Sequence, residues 1–230
     1  MGRVAVAVVT LVVLMGALLA PSSTVPSHLL VSRESALYDV AVVGDSYTTG
    51  STEGGNGANG WPALTWRRLA RQGLVVDPTV AAEGRAGYVV RGYQGNVFGD
   101  LTPRAVNADD ALVVFFGSRN DQGVDPLTLA GMTQQAFATA RRLAPRARLL
   151  VIGPPWPTAD VPPAVLQIRD VLRITAGMVG ATFVDPIAEG WFVGRPDLIG
   201  GDGVHPTDAG HAYMAERIAP LISAELPGRV

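Results

Sequence analysis

Short apolar runs alternate along the chain with longer segments in which apolar residues recur at helical spacing. The runs are rich in β-branched residues and apolar on both faces, as buried parallel strands require, and they cover 39–43, 74–80, 111–116, 149–152 and 182–184. The helical segments cover 61–72, 127–143, 165–179 and 207–225, the second ending before Pro145 and the last entered through Pro206. Because strands that alternate with helices are joined by right-handed crossovers, this pattern predicts a parallel sheet with helices on both faces.

The first twenty residues have the pattern of an export signal. Arg3 is followed by an almost unbroken apolar run over residues 4–20, which is the order of the basic and hydrophobic regions of a signal peptide. Ala17 and Ala20 form A-x-x-A rather than A-x-A. We therefore expect either a cleaved signal peptide or a signal anchor that holds the protein to the membrane through residues 4–20.

The rest of the chain divides into a linker and one folded domain. Residues 21–37 are rich in Ser and Pro and are interpreted as the linker. Residues 38–230 are expected to form a single domain, because 230 residues are too few for two domains of ordinary size beside the signal. The expected location is outside the cytoplasm, with the protein either secreted or associated with the cell envelope.

Composition excludes several kinds of chemistry. All 18 basic residues are Arg, so a P-loop lysine and a Schiff-base lysine are excluded. Cys is absent, which excludes disulfides, thiolate metal sites and cysteine nucleophiles. The formal net charge is −2 without a run of like charges, so nucleic acid is not an expected partner.

Polar residues follow three of the predicted strands, where an open α/β sheet binds its ligands. Ser46 follows the first strand and is a candidate nucleophile, although a serine in this place also commonly caps a helix. Gly84 follows the second strand and Asn120 the third. A glycine allows its N–H to approach a substrate closely, and an Asn amide can donate to an oxyanion, but both residues are also ordinary in turns.

A carboxylate and an imidazole lie three residues apart before the last predicted helix. Asp202 can reach Nδ1 of His205 and fix its tautomer, which leaves Nε2 to face a hydroxyl. The same residues would also suit a turn and a helix cap. Since His28 lies in the linker and His211 inside the predicted helix, His205 is the preferred candidate for a general base.

These segments, in this order, resemble the four sequence blocks of the SGNH hydrolases, also called GDSL esterases and lipases. The resemblance extends from about residue 38 to residue 225 and rests on Gly44-Asp45-Ser46, on Gly84, on Asn120 with its neighbours Gly117 and Asp121, and on Asp202 and His205. It implies a flavodoxin-like three-layer α/β/α sandwich with a central five-stranded parallel sheet. It also implies a serine esterase without a metal or cofactor.

Carried over residue by residue, the resemblance makes Ser46 the nucleophile and Asp202 and His205 the acid and base of a catalytic triad. The oxyanion-hole donors that it implies are Ser46, Gly84 and Asn120. The second block lacks the Asn that usually precedes its Gly, so Gly87 stays open as an alternative donor. The third block carries one residue more than usual before its Asn, which makes Asn120 the less secure donor.

Several residues around these blocks are candidates for contact with substrate. The aromatic candidates are Trp61, Tyr88, Tyr93, Phe98 and Trp156; aromatic side chains at strand ends can stack on sugars or line an acyl pocket, and they can equally be core residues. Residues 55–60 match G-x-G-x-x-G, but residues 45–54 separate them from the strand that a dinucleotide-binding turn must follow directly. We interpret residues 50–60 as a mobile loop that shapes the substrate entrance, with a solvated spacer as the alternative.

Three classes of function remain open. The first is an exported esterase that removes small acyl groups from a carbohydrate or envelope component, or hydrolyses short-chain lipid esters. The second is an acyltransferase that uses the same triad with an alcohol acceptor, and the third is a surface-binding module without catalysis. The complete set of site residues argues against the third. We expect a monomer whose partner is a small-molecule or envelope ester.

Overall fold

A computed structural model describes residues 37–227 of the chain, and its centre is a parallel sheet. The strands are β1 (Leu37–Gly44), β2 (Val75–Ala82), β3 (Leu112–Phe116), β4 (Arg148–Ile152) and β5 (Thr182–Val184), in the order β2-β1-β3-β4-β5. The register places Val42 of β1 beside Val80 of β2 and Val114 of β3. The predicted export signal and nearly all of the predicted linker lie outside the described residues.

Helices flank this sheet on both sides. Within residues 37–227 they are α1 (Ser46–Thr49), α2 (Trp61–Arg71), α3 (Phe98–Ala105), α4 (Pro126–Leu143), α5 (Pro163–Met178) and α6 (Asp208–Glu225). The predicted three-layer sandwich is therefore confirmed, and its strand order is the flavodoxin-like one. No helix of this part of the chain combines the length and the apolar character needed to cross a membrane.

The alternation of side chains along β3 divides the interior into two cores. Val113 and Phe115 point to one face and pack with residues of α3, α4 and α5, including Phe137. Leu112 and Phe116 belong to the opposite face, where the core is formed mainly with α2 and α6. Because successive strand residues point to opposite sides of a sheet, this one apolar run supplies both cores.

The prediction that every strand is apolar on both faces is wrong for β2. This strand lies at the edge of the sheet, and its residues Asp77, Thr79 and Val80 are exposed. An edge strand has a neighbour on one side only, so it tolerates charge and can include Pro78, whose nitrogen has no hydrogen to donate. The edge strand β5 also begins with an exposed residue, Thr182.

Two helical features differ from the sequence-based prediction. Helix α3 was not predicted, since it is short and contains Pro103, a residue that ordinarily ends a helix. Helix α6 begins at Asp208, later than the predicted entry through Pro206, because the Thr207 side chain caps it by accepting a hydrogen bond from the Gly210 N–H.

Two leucines in the first turns of α4 provide a test of the packing. Leu129 is fully buried in the core, whereas Leu127 is 83% exposed. We expect Leu129→Ala to lower the free energy of unfolding by about 2–5 kcal/mol, since it removes buried methyl groups and leaves a cavity. Leu127→Ala should change it by less than about 0.5 kcal/mol. Urea denaturation of the two variants measures both values, and equal effects would contradict this packing.

Candidate active site

The strand order creates a crevice beyond the carboxyl ends of β1 and β3. β1 lies between β2 and β3, so the order reverses between the first and third strands, which is where open α/β sheets bind ligands. Ser46 is the first residue of α1, directly after β1. Asn120 lies in the single 3-10 turn Arg119–Asp121 that follows β3. The fold therefore brings two of the predicted site residues to one crevice.

The segment that carries Ser46 is held on both sides of the serine. The Asp45 carboxylate caps α1 by accepting a hydrogen bond from the Tyr47 N–H at 2.9 Å. Tyr47 is buried, and its hydroxyl donates to the Val204 carbonyl at 2.5 Å, 157 residues further along the chain. These contacts fix α1, which is only one turn long, against the loop that carries His205.

Ser46, His205 and Asp202 form one continuous line of hydrogen bonds. Ser46 Oγ lies 3.0 Å from His205 Nε2, and His205 Nδ1 lies 2.5 Å from Asp202 Oδ2. The other carboxylate oxygen of Asp202 accepts the N–H groups of Val204 and His205 at 2.8 and 2.9 Å. An imidazole held in this way can take a proton from the serine hydroxyl.

The pKa of Asp202 reflects this network. Partial burial acts to raise it, but the hydrogen bonds from the His205 side chain and from the N–H groups of His205 and Val204 outweigh burial and hold the pKa below its ordinary value. The carboxylate is therefore ionised at neutral pH and orients the imidazole with its Nδ1–H toward Asp202.

Two of the predicted oxyanion donors line the same cavity as Ser46. Gly84 lies on its wall, where a Cβ would come within 3.1 Å of the Tyr93 ring. The Asn120 side-chain nitrogen donates to the Ala86 carbonyl at 3.0 Å and lies 3.5 Å from Asp45 Oδ2. The alternative donor Gly87 is buried, and its N–H already donates to the Val90 carbonyl at 2.8 Å. The geometry thus supports Gly84 over Gly87.

Asp121 organises the loop after β2, a role that the sequence analysis missed. Its buried carboxylate accepts three consecutive backbone N–H groups, those of Tyr88, Val89 and Val90, at 2.8–2.9 Å. Burial raises the pKa of Asp121, although these three hydrogen bonds act in the opposite direction. The position of Asp121 directly after Asn120 was the one available signal, and it does not reveal which backbone the carboxylate binds.

Asp45, next to Ser46, is the most strongly perturbed carboxyl group beside the crevice. Complete burial raises its pKa to about 7, while the Tyr47 N–H and the positive charge of Arg119 act in the opposite direction. Near neutral pH the group is therefore partly protonated.

The crevice opens into a cavity of about 600 Å³ that is lined mostly by residues with polar side chains. Its lining includes several hydroxyl and amide side chains and two arginines, namely Thr49, Ser51, Thr52, Asn56, Gln94, Arg85 and Arg119. The apolar side chains on the wall are Ala82, Val204 and the ring carbons of Tyr93. Within residues 37–227, no group of three or more His, Asp or Glu side chains is arranged to hold a metal ion.

The aromatic candidates divide into surface and core residues. Tyr93 lines the cavity and is 81% exposed, and the Trp156 ring lies against the guanidinium of Arg119 on the cavity wall. The prediction of substrate contact is wrong for the other three candidates, Trp61, Tyr88 and Phe98. Their side chains are fully buried and pack on other core aromatics, Trp61 on Phe116 and the other two on each other.

The glycine-rich loop lies at the cavity, and its neighbours tie it to α6. Asp208 accepts the Gly55 N–H and the Asn59 side-chain amide, both at 2.8 Å. His211 lies beneath the loop, where a Cβ on Gly55 would come within 1.9 Å of its Nε2. Gly55 also has a φ of +78°, so only glycine fits here without strain. His211, which lies in α6, thus supports the loop.

His211 predicts a specific pH dependence of stability. Burial lowers its pKa from 6.5 to about 4, although Asp208 acts to raise it. The neutral imidazole, whose Nδ1 accepts the Trp61 N–H, therefore stabilises the fold fully above about pH 6.5. That contribution, on the order of 3 kcal/mol, is lost between about pH 6.5 and 4, because the unfolded chain takes up a proton that the folded chain does not.

Urea denaturation of the parent and of His211→Gln at steps from pH 7 to pH 4 isolates this contribution. Gln keeps an acceptor for the Trp61 N–H but does not titrate. The difference in free energy of unfolding between the two proteins should shrink as the pH falls. A difference that stays constant over this range would show that His211 is not buried in its neutral form.

Two comparisons with known sequences both find similarity to GDSL-type lipases. The sequence model of the GDSL-like lipase/acylhydrolase family matches residues 42–213, which include every residue of the hydrogen-bonded line. The chain is also 57% identical over 231 residues to GDSL lipase Rv0518 of Mycobacterium tuberculosis (strain ATCC 25618 / H37Rv), and the match covers 99% of this chain and 100% of that protein.

Solved structures share the fold at lower sequence identity. A family two carbohydrate esterase from Clostridium thermocellum, in complex with cellohexaose, has a TM-score of 0.63 and 18% identity; the match covers 82% of this chain and 64% of that chain. The crystal structure of TesA has a TM-score of 0.61 and 24% identity, with 82% of this chain and 99% of that chain covered.

Proposed function

Since this chain belongs to the GDSL-like lipase/acylhydrolase family and is a carboxylic ester hydrolase, we propose that it cleaves small acyl groups from polar alcohols with Ser46 as nucleophile. The observation that supports this most directly is the line from Ser46 Oγ through His205 to Asp202, with contacts of 3.0 and 2.5 Å. Ser46 acts as the nucleophile, His205 as the general base, and the Asp202 carboxylate orients the imidazole.

In the first half of the proposed reaction, His205 Nε2 takes the proton of Ser46 as the serine oxygen attacks the ester carbonyl carbon. The carbonyl oxygen becomes an oxyanion, which the N–H groups of Ser46 and Gly84 and the Asn120 amide stabilise. When the tetrahedral intermediate collapses, the carbon–oxygen bond to the alcohol breaks and His205 returns the proton to the leaving oxygen. A free alcohol and an acyl-enzyme on Ser46 result.

In the second half, water takes the place of the alcohol. His205 removes a proton from the water molecule as its oxygen attacks the acyl carbonyl, and the same oxyanion donors stabilise the second intermediate. Collapse breaks the bond to Ser46 Oγ, which regains its proton from His205, and a carboxylic acid leaves. Asp202 accepts the Nδ1–H in both halves and stabilises the imidazolium whenever it forms.

The walls of the cavity support a small acyl group and a polar alcohol. Threonine, serine, asparagine and glutamine side chains offer hydrogen bonds to a carbohydrate or another hydroxyl-rich alcohol. The cavity offers no Leu, Ile, Met or Phe side chain among the described residues that line it, so a long acyl chain would leave polar groups without partners. This contrast favours acetyl-sized groups over long lipid chains.

We further propose that the enzyme acts outside the cytoplasm. The support comes from sequence alone, namely the basic residue Arg3 followed by the apolar run over residues 4–20. An envelope-associated ester would then be the accessible substrate, and residues 4–20 would either be cleaved or hold the enzyme to the membrane.

Hydrolysis of p-nitrophenyl acetate and p-nitrophenyl octanoate by the full-length protein tests the proposed function. We expect the acetate to have the higher kcat/KM, and we expect Ser46→Ala to lower kcat by roughly 10⁴- to 10⁶-fold because the nucleophile is lost. Ser223→Ala, which removes a hydroxyl from α6 away from the cavity, is the matched control and should keep full activity. Activity that survives in Ser46→Ala would contradict the assignment.

Asn120→Ala tests the oxyanion hole separately from the nucleophile. Loss of one preorganised donor should lower kcat by roughly 10²- to 10³-fold, about 3–4 kcal/mol in the barrier, with little change in KM, since the amide acts on charge that develops in the transition state. Steady-state kinetics on p-nitrophenyl acetate measure both constants. A change confined to KM would instead assign Asn120 to ground-state binding.

A further inference from the structure

Arg119 occupies an unusual position on the wall of the cavity. It directly precedes Asn120 in the 3-10 turn after β3, and its guanidinium carbon lies 4.1 Å from the centre of the Trp156 ring. The Trp156 ring is itself held in place, because its Nε1–H donates to the Asp160 carbonyl at 3.0 Å. A guanidinium stacked on a fixed ring is preorganised, and its planar edge can bind an oxyanion with two parallel hydrogen bonds.

Arg119 has a polar neighbour in the Tyr47 hydroxyl but no ion-pair partner in the described part of the chain. Its Nη1 is buried without a hydrogen-bond acceptor among residues 37–227, and no carboxylate in that range forms an ion pair with it, in contrast to Arg68 with Glu216 and Arg195 with Asp197. Asp45, an acidic neighbour whose pKa the charge of Arg119 acts to lower, has a pKa raised to about 7 by burial.

A second arginine without an ion pair in the described part of the chain lies on the same wall. Arg85 follows the proposed oxyanion donor Gly84, is exposed, and holds a left-handed backbone conformation with φ of 68°. The carboxylates on this wall are already engaged: Glu83 accepts the Asn96 amide at 2.5 Å, and Asp202 accepts His205. Two arginines and two carboxylates thus line the cavity next to the reacting serine, and these arginines form no ion pair with the carboxylates of the wall.

The neighbours of Arg119 indicate which part of a substrate it would meet. The guanidinium is close enough to the Tyr47 hydroxyl to act against the rise that burial causes in the pKa of Tyr47, and that hydroxyl donates to Val204, next to His205. In the proposed reaction the leaving oxygen must lie at His205 Nε2 to receive its proton. These contacts link Arg119 through Tyr47 and Val204 to the His205 side of the crevice, where the alcohol would leave.

From this geometry we propose that Arg119, assisted by Arg85, determines specificity by binding an anionic group, a carboxylate or a phosphate, on the alcohol part of the ester. This inference rests on the proposed function and narrows its substrate to acyl esters of an acidic alcohol, such as an acidic sugar or a phosphorylated polyol. The anion would form an ion pair with Arg119 where this side chain lines the cavity.

Three acetyl esters that differ only in the charge of the alcohol test the proposal. They are the acetyl esters of 4-hydroxybenzoate, of 4-hydroxyphenyl phosphate and of methyl 4-hydroxybenzoate, of which the last is neutral. Dividing each kcat/KM by the rate constant for alkaline hydrolysis of the same ester removes differences in intrinsic reactivity. We expect a corrected kcat/KM at least tenfold higher for an anionic ester, and the anion that gains more identifies carboxylate or phosphate as the natural group.

Substitutions assign this preference to Arg119. Arg119→Gln removes the charge and should lower the ratio of anionic to neutral kcat/KM roughly ten- to a hundredfold, while Arg119→Lys keeps the charge without the planar fork and should retain part of the ratio. Arg71→Gln, which removes an exposed arginine of α2 outside the cavity, should leave the ratio unchanged. A partly unfolded variant does not distort the result, because the active fraction cancels in the ratio.

The outcomes separate this inference from the proposed function. If the parent hydrolyses none of the three esters, the proposed function fails and the inference fails with it. If the parent hydrolyses them without preference, or if Arg119→Gln keeps the preference of the parent, the inference alone is overturned. A preference that also weakens as ionic strength rises supports recognition by charge, since salt screens partly exposed ion pairs.

Discussion

All five strands of the sheet run in one direction, and the arrangement of the site depends on this constraint. Parallel strands end at the same edge of a sheet, so segments that are distant in the chain meet there. Ser46, Gly84 and Asn120 each follow one of the three neighbouring strands β1, β2 and β3. His205 comes from a different element, the loop before α6, and the hydrogen bond from Tyr47 to Val204 fixes that loop against the end of β1.

Buried carboxylates hold the connections that follow these strands. Asp45 caps α1, Glu83 binds the Gln94 N–H and the Asn96 amide, and Asp121 binds three successive N–H groups. Irregular loops cannot satisfy their own backbone donors, so each carboxylate replaces the hydrogen bonds that a helix or sheet would have supplied. Burying these carboxylates removes them from water, and the raised pKa of Asp121 reflects this unfavourable desolvation. In return, the long loops beside the crevice have a defined shape.

Sequence analysis found the strands and the polar residues at their ends because both depend on local patterns. β-branched runs separated by helical periodicity predict the sheet, and Ser46 and His205 stand in short motifs at its edge. The features that it missed depend on the direction in which a side chain points and on contacts with residues that are distant in the sequence. Trp61 and Tyr88 are of residue types common in binding sites, but their side chains point into the two cores. The local sequence around an aromatic residue does not show which way its side chain points.

The same reasoning explains why the neighbours of the site were missed. Arg119 meets Trp156 only because β3 and β4 are adjacent in the sheet, and His211 meets Gly55 across 156 positions of the sequence only because α6 packs beside the start of α2. Pro103 concealed α3 because a proline within so short a segment usually marks a turn. Contacts that arise from strand order and helix packing can therefore be identified only in the folded structure.

The separation of Ser46 and His205 in the chain has a consequence for biosynthesis. The two residues whose side chains meet at 3.0 Å are 159 positions apart. At a synthesis rate of roughly 5–20 residues per second, the imidazole is made about 10–30 s after the serine. A nascent chain therefore carries an ordinary, unactivated hydroxyl until α6 has been made and has packed on the sheet. The serine is thus activated only when the segment that carries His205 has folded against the end of β1.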